Sequence, residues 1–228
     1  MSRTARIAAS FRYTDRCGYF SRALAGRHVN PPVGIVECVQ DSLAKLTPAG
    51  RRVLDVAAEL FYRQGIHAVG VEAIAAKAGV TKKTLYACFG SKDNLVTAYL
   101  TERDQRWREW LTGWVERHAD SAEEKVLGAY DALAAWMRED FRGCAFVNAL
   151  AELPSPDHPA HEVIVGQKRW MRDYFAELAA KAGAADPDGF AKSALLLYEG
   201  VTVAESAGIG GTTDQAKKVA AALLRAAV

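Results

Sequence analysis

The chain has 228 residues, half of them hydrophobic and a quarter charged, enough to bury a sizeable core and too apolar for a disordered chain. No apolar run is long enough to span a bilayer, and the first twenty residues lack the continuous apolar stretch of a secretory signal, so a soluble cytoplasmic protein is expected. The net charge of +2 is unevenly spread: residues 1–46 carry seven Lys/Arg against three Asp/Glu, 47–100 seven against four, and 101–228 fifteen against twenty, so a polyanion would meet only the front of the chain.

Residues 1–46 show no sustained periodicity. "NPPVG" at 30–34 interrupts any helix, because its two prolines lack donors and restrict their neighbours. A flexible basic arm is expected there. The first clear helix lies in "LTPAGRRVLDVAAELFYRQG". Thr47 suits an N-cap, Pro48 the first turn and Gly65 the end. Val53, Leu54, Ala57, Leu60 and Phe61 form one apolar stripe. "VEAIAAKA" makes a second, short helix broken by Gly79. "TKKTLYACF" makes a third, capped by Thr81 and stopped by Gly90, and Ser91 caps a fourth. Further helices are expected near 91–118, 122–140, 144–152, 158–182, 187–207 and 213–227, separated by segments rich in helix breakers. With seven prolines in the chain and alanine heavily used, the fold class is all-α.

Two short helices around a tight turn at Gly79, with a third helix before them, make a helix-turn-helix pattern. Ile74, Val80 and Leu85 are the apolar glue behind it. Lys82 and Lys83 then fall in the first turn of the third helix, where positive charge opposes the macrodipole. Stability alone would favour acids at that place. Attraction to a DNA backbone accounts for the lysines, since phosphates accept both lysine and helix N-termini.

"GVEAIAAKAGVTKKTLYACFGSKDNLVTAYL", residues 70–100, closely resembles the DNA-binding domain of the TetR family of bacterial transcriptional regulators, and the likeness extends back to about Thr47. It is carried by Ile74-Ala75, Ala78-Gly79-Val80, Leu85-Tyr86, Phe89, Ser91-Lys92 and Leu95. Behind the basic arm at 1–46, the resemblance implies an all-helical homodimer with a three-helix DNA-binding domain at 47–95 and a helical ligand-binding and dimerisation domain at 96–228. It also implies a near-palindromic operator in double-stranded DNA and an unknown small-molecule effector. The family's contact positions fall on Lys82, Lys83, Thr84, Tyr86 and Lys92. Cys88 stands where His or Tyr is common, which costs one backbone contact, and Lys83 stands where glycine is common, which adds charge near the bases.

The C-terminal part resembles the family only loosely, through "RGCAFVNALAE" at 142–152. Trp107, Trp110 and Trp114 lie at spacings of three and four and share a helix face, with Trp136 and Phe146 further on. Such aromatics are either ordinary core or the walls of an apolar effector pocket oriented by a few polar groups. Asn148 and Glu152, one turn apart, either serve that pocket or face solvent. The segments at 187–207 and 213–227 are rich in Ala, Gly and Leu, which allows close helix approach. With the resemblance they are assigned to a four-helix dimer interface.

Two other functions compete. His158 and His161 stand near Asp157 and Glu162, a grouping open to a metal or an acid–base role, but "SPDHPAHE" also reads as a proline-broken loop entering a helix. No nucleophile motif or phosphate loop accompanies it. The four cysteines, at 17, 38, 88 and 144, are too scattered for a zinc site or disulfide scaffold, so no metal or cofactor is expected. An architectural DNA binder without an effector is disfavoured by the large acidic rear. The leading expectation is a ligand-released repressor.

Overall fold

The computed structural model describes residues 42–137 and 141–227. These are helical: α1 (Pro48–Gln64), α2 (Val71–Lys77), α3 (Lys82–Phe89), α4 (Lys92–His118), α5 (Ala122–Trp136), α6 (Ala145–Glu152), α7 (His161–Lys181), α8 (Pro187–Ser206) and α9 (Thr212–Ala227). Among the described residues no helix is long and apolar enough to cross a membrane.

The helix starts follow side-chain chemistry. Thr47, Thr81 and Ser91 accept from the backbone of Gly50, Thr84 and Asn94 at 3.0–3.1 Å, which satisfies otherwise orphaned donors of α1, α3 and α4. Ser121 and Glu124 cap α5 reciprocally. Two boundaries differ from the sequence expectation. α5 leaves the helix at Met137, and residues 138–140 of the expected 122–140 helix lie outside the described residues. α7 begins at His161 rather than 158, because 155–161 is spent in turns: His158 donates to the Ser155 carbonyl and His161 to the His158 carbonyl.

Two apolar clusters organise the molecule. One is built from α1, α2, α3 and the first two turns of α4, together with Ala145, Phe146 and Ala149 of α6 and Val163 and Ile164 of α7. The other holds Trp107, Leu111 and Val115 of α4 with α5, the rest of α7, α8 and α9. Packing therefore does not divide at residue 95. α4 runs uninterrupted through both clusters, and α6, from the second half of the chain, completes the core of the head.

The expected arm at 1–46 lies outside the described residues from 1 to 41. Its last residues, 42–46, are described and lie against the head. Ser42 is buried, and Leu43 and Leu46 pack on the head cluster just ahead of the capped start of α1. The partial burial of these two leucines favours an ordered lead into α1.

Candidate functional site

The turn between α2 and α3 needs a left-handed residue. Gly79 supplies it at φ +64°, with backbone bonds from Gly79 to Ala76 and from Val80 to Ala75 closing the end of α2. Arg52 Nε donates to the Ala78 carbonyl at 3.4 Å, tying the turn to α1. Leu85, Cys88 and Phe89 are buried beneath α3, which leaves Lys82, Lys83, Tyr86 and Ala87 exposed on its outer side. Thr84 is half-buried, its hydroxyl 2.9 Å from that of Thr81.

These side chains are not electrostatically equivalent. Lys82 pairs with Glu72 of α2 at 2.5 Å, an exposed ion pair that holds the lysine pKa up and the glutamate pKa down. Lys83 makes no ion pair among the described residues. Lys92, at the start of α4, is half-buried with its ammonium 5.9 Å from the centre of the Phe61 ring. Cys88 is 2% exposed, and its sulfur lies 4.0 Å from the Thr47 hydroxyl. Its side chain points into the head, so the residue itself occupies no outward contact position.

A cavity opens between α4, α5, α7, α8 and the start of α6, with about 440 Å³ of empty space, part of it open to solvent. Trp107, Trp136, Phe141 and Phe146 form much of its wall, the two indoles meeting edge to face at 5.2 Å. Of the sequence candidates, Trp107, Trp136 and Phe146 therefore come together. Trp110 does not line it. That indole donates to the Ala132 carbonyl at 3.2 Å and backs onto Trp136 from outside. Trp114, a turn further along α4, stacks on His118 at 4.1 Å. Asn148 and Glu152 do not line it either: only the N-terminal end of α6 reaches the cavity, while its C-terminal half faces α1.

The polar wall comes from residues the sequence reading did not single out: Arg103, Cys144, Gln167, Lys168, Tyr198 and Thr202. Gln167 is 3% exposed and its Oε1 has no hydrogen-bond partner. The buried Tyr198 hydroxyl is likewise unpartnered, and burial pushes its pKa well up. Lys168 Nζ lies 2.6 Å from Glu199 and donates to Cys144 Sγ at 3.4 Å. Burial presses the Lys168 pKa down, but the neighbouring sulfur and carboxylate reverse this and leave it raised. The available signal was a polar residue in an apolar register. Gln167 interrupts the stripe Val163, Ile164, Met171, Phe175 on α7, and Thr202 follows Tyr198 and Val201 on α8.

α6 joins cavity to head. At its N-terminal side, Tyr62 of α1 donates its hydroxyl to the Gly143 carbonyl at 3.1 Å and accepts from the Arg142 amide at 2.9 Å. At its C-terminal end, Glu152 accepts from the Ile66 and His67 amides at 3.0 and 2.7 Å. Gly65, at φ +94°, is needed here twice over, because a Cβ would also stand 3.2 Å from the Glu152 carboxylate. Arg103, a cavity residue, lies over the Tyr62 ring at 4.2 Å. The histidine grouping is not assembled as a metal centre: no cluster of three or more potential ligands occurs among the described residues. His158 instead accepts from the Ala160 amide and faces Asp93 at 3.5 Å.

Residues 53–99 match the family of bacterial regulatory proteins called the tetR family. The chain is 29% identical over 152 residues to the HTH-type transcriptional regulator YjdC of Escherichia coli, a match covering 65% of this chain and 78% of that protein. Its fold is similar to a solved TetR-family transcriptional regulator from Streptomyces coelicolor, at 32% identity and a TM-score of 0.73, over 78% of this chain and 95% of that one. A solved TetR-type regulator from Streptomyces avermitilis is similar at 30% identity and a TM-score of 0.69, over 79% of this chain and 98% of the other.

Proposed function

The chain belongs to the TetR family of DNA-binding transcriptional regulators, and we propose that it is a homodimeric repressor released from a near-palindromic operator by a small apolar or amphipathic effector held in the aromatic cavity. The observation that carries the ligand response is the double role of α6. The segment that walls the cavity at Cys144, Ala145 and Phe146 is the segment tied to α1 through Tyr62 and Glu152. A ligand that shifts α6 must shift α1, and with it α3.

Two α3 helices in a dimer enter successive major grooves about 34 Å apart. An effector that favours another separation lowers DNA affinity in proportion to its preference for that state, with a coupling of about 1–3 kcal/mol. Lys82, Lys83, Thr84 and Tyr86 are proposed to face the groove and phosphates, and Lys92 the backbone. The exposed Leu196, Gly200 and Val203 of α8 and the exposed Ala222 and Leu223 of α9 support a dimer seam on those two helices.

The test begins with operator selection from a random DNA pool, followed by titration of the complex with candidate effectors under fluorescence. A releasing ligand is expected to quench Trp107 and Trp136. The response should survive Trp114→Phe and shrink in Trp136→Phe. A releasing ligand that leaves emission untouched in both variants would place the effector elsewhere.

A further inference from the structure

We propose that Cys144 is a covalent modification site: a soft electrophile of the α,β-unsaturated ketone class, small and apolar enough for the aromatic cavity, is captured on its sulfur, and the capture releases DNA. The inference rests on the cavity being the effector site and narrows the effector to a chemical class.

Several observations converge on this sulfur. Cys144 is a free thiol, partly exposed, in the cavity wall. The Lys168 ammonium lies 3.4 Å from Sγ and is itself steadied by Glu199 at 2.6 Å. A partly exposed sulfur beside a charged donor and open to a cavity is the setting in which cysteines meet electrophiles. Cys144 is also the N-cap residue of α6, and its side chain makes no capping bond, so the sulfur stands at a helix N-terminus without being consumed by it. Gln167 Oε1 and the Tyr198 hydroxyl, both deeply buried on residues lining the same cavity, lack partners. A wall built only for packing leaves few such atoms, whereas a bound molecule and its attendant water satisfy them. Cys88, by contrast, is packed in the head at 2% exposure and does not line the cavity.

The chemistry balances without a further reagent. The thiol releases its proton, and the sulfur attacks the β-carbon of the enone. The S–C bond forms as the C=C π bond breaks, and that electron pair passes onto the carbonyl as an enolate. The α-carbon then takes a proton from water, so the net change is addition of S–H across the double bond, with no oxidant or reductant. The thioether sits beside Gly143, whose φ of +87° and carbonyl bond to Tyr62 hold the segment to α1. A substituent on Sγ therefore acts at the joint between cavity and head.

The experiment uses the full chain and its selected operator, with benzylideneacetone as the electrophile and its saturated analogue benzylacetone as the matched non-electrophile. Adducts are located by intact mass and peptide mapping, and DNA binding is read by gel shift. Benzylideneacetone is expected to label Cys144 first, with DNA affinity falling about tenfold or more in step with the labelled fraction. Lys168→Gln should slow labelling of Cys144 about tenfold. Cys144→Ser should take up no enone label at this position and lose the enone response. If benzylacetone releases DNA as well as the enone does, and Cys144→Ser responds like the wild type, the cavity remains an effector site and the covalent switch is overturned. Labelling of Cys144 without release, or labelling confined to other cysteines, also overturns it, and neither readout depends on a variant folding. If neither compound labels Cys144, releases DNA or perturbs tryptophan emission, the electrophile proposal fails for this class, while the effector reading stays open to the wider ligand titration.

Discussion

Lys82 and Lys83 are adjacent on α3 yet differ in their surroundings. Lys82 is held by Glu72, a carboxylate that competes with phosphate for the same ammonium. Glu72→Gln is expected to raise affinity for DNA of any sequence and to steepen the salt dependence by about one unit of slope, as a further cation becomes free to displace counterions. Lys83 has no such competitor among the described residues and projects from the exposed side of α3. Lys83→Ala should cost about 1–3 kcal/mol on the cognate site and relax preference at one base pair per half-site. Lys92→Ala should instead weaken all sequences alike and reduce the salt slope by about one, the signature of a phosphate contact. Titrations at several salt concentrations against single-base operator variants separate the three. Lys92→Ala changing the preferred base would refute the docking proposed here.

At the scale of the element, α6 stands out because it is short, capped by no side chain at its start, and held both by its buried Ala145, Phe146 and Ala149 and by hydrogen bonds at each end. Glu152→Ala removes two charge-assisted acceptors from the Ile66 and His67 amides. Glu152 is partly exposed, so the expected loss is about 1–2 kcal/mol, seen as a lower urea midpoint with an unchanged slope. The lead into α7 carries a pH response. Burial lowers the His158 pKa, and facing Asp93 only partly offsets this. The folded protein thus prefers the neutral ring, while the unfolded chain takes up a proton near the ordinary value of 6.5. This contribution to stability is present above that pH and is lost as pH falls through the lower folded-state value. Urea midpoints at about pH 7.5 and about pH 5.5 should differ less in His158→Asn than in the wild type.

For the whole molecule the open question is what covers the outer side of α8. Leu196 is 75% exposed and Val203 58%, with Gly200 between them and open space where its Cβ would be. Two such stripes related by a twofold axis are self-complementary, and small residues let the helices approach closely. Leu196→Glu is expected to give monomer mass by light scattering at micromolar concentration and to abolish tight binding to the paired operator while leaving the far-ultraviolet helix signal intact. A dimer that survives this change would put the interface on another surface.

What the sequence determined by itself is everything governed by local rules. Thr47, Thr81 and Ser91 before apolar stripes, and Gly65, Gly79 and Gly90 after them, set the helices of the head, because caps and left-handed turns depend on residues a few positions apart. The tryptophan spacing likewise placed Trp107 on an inward face. What only the tertiary structure decided is which faces meet. Cys144 precedes α6, Lys168 lies on α7 and Glu199 on α8, and Trp110 and Trp114 share a stripe with Trp107 without lining its cavity. Asn148 and Glu152, which the sequence left open between pocket and solvent, lie on the side of α6 that faces α1, because an eight-residue helix wedged between two clusters divides its length between them. Periodicity says that a residue turns inward. It carries no information about which partner waits there, since that follows from how helices distant in sequence cross, and crossing is settled by the packing of whole surfaces.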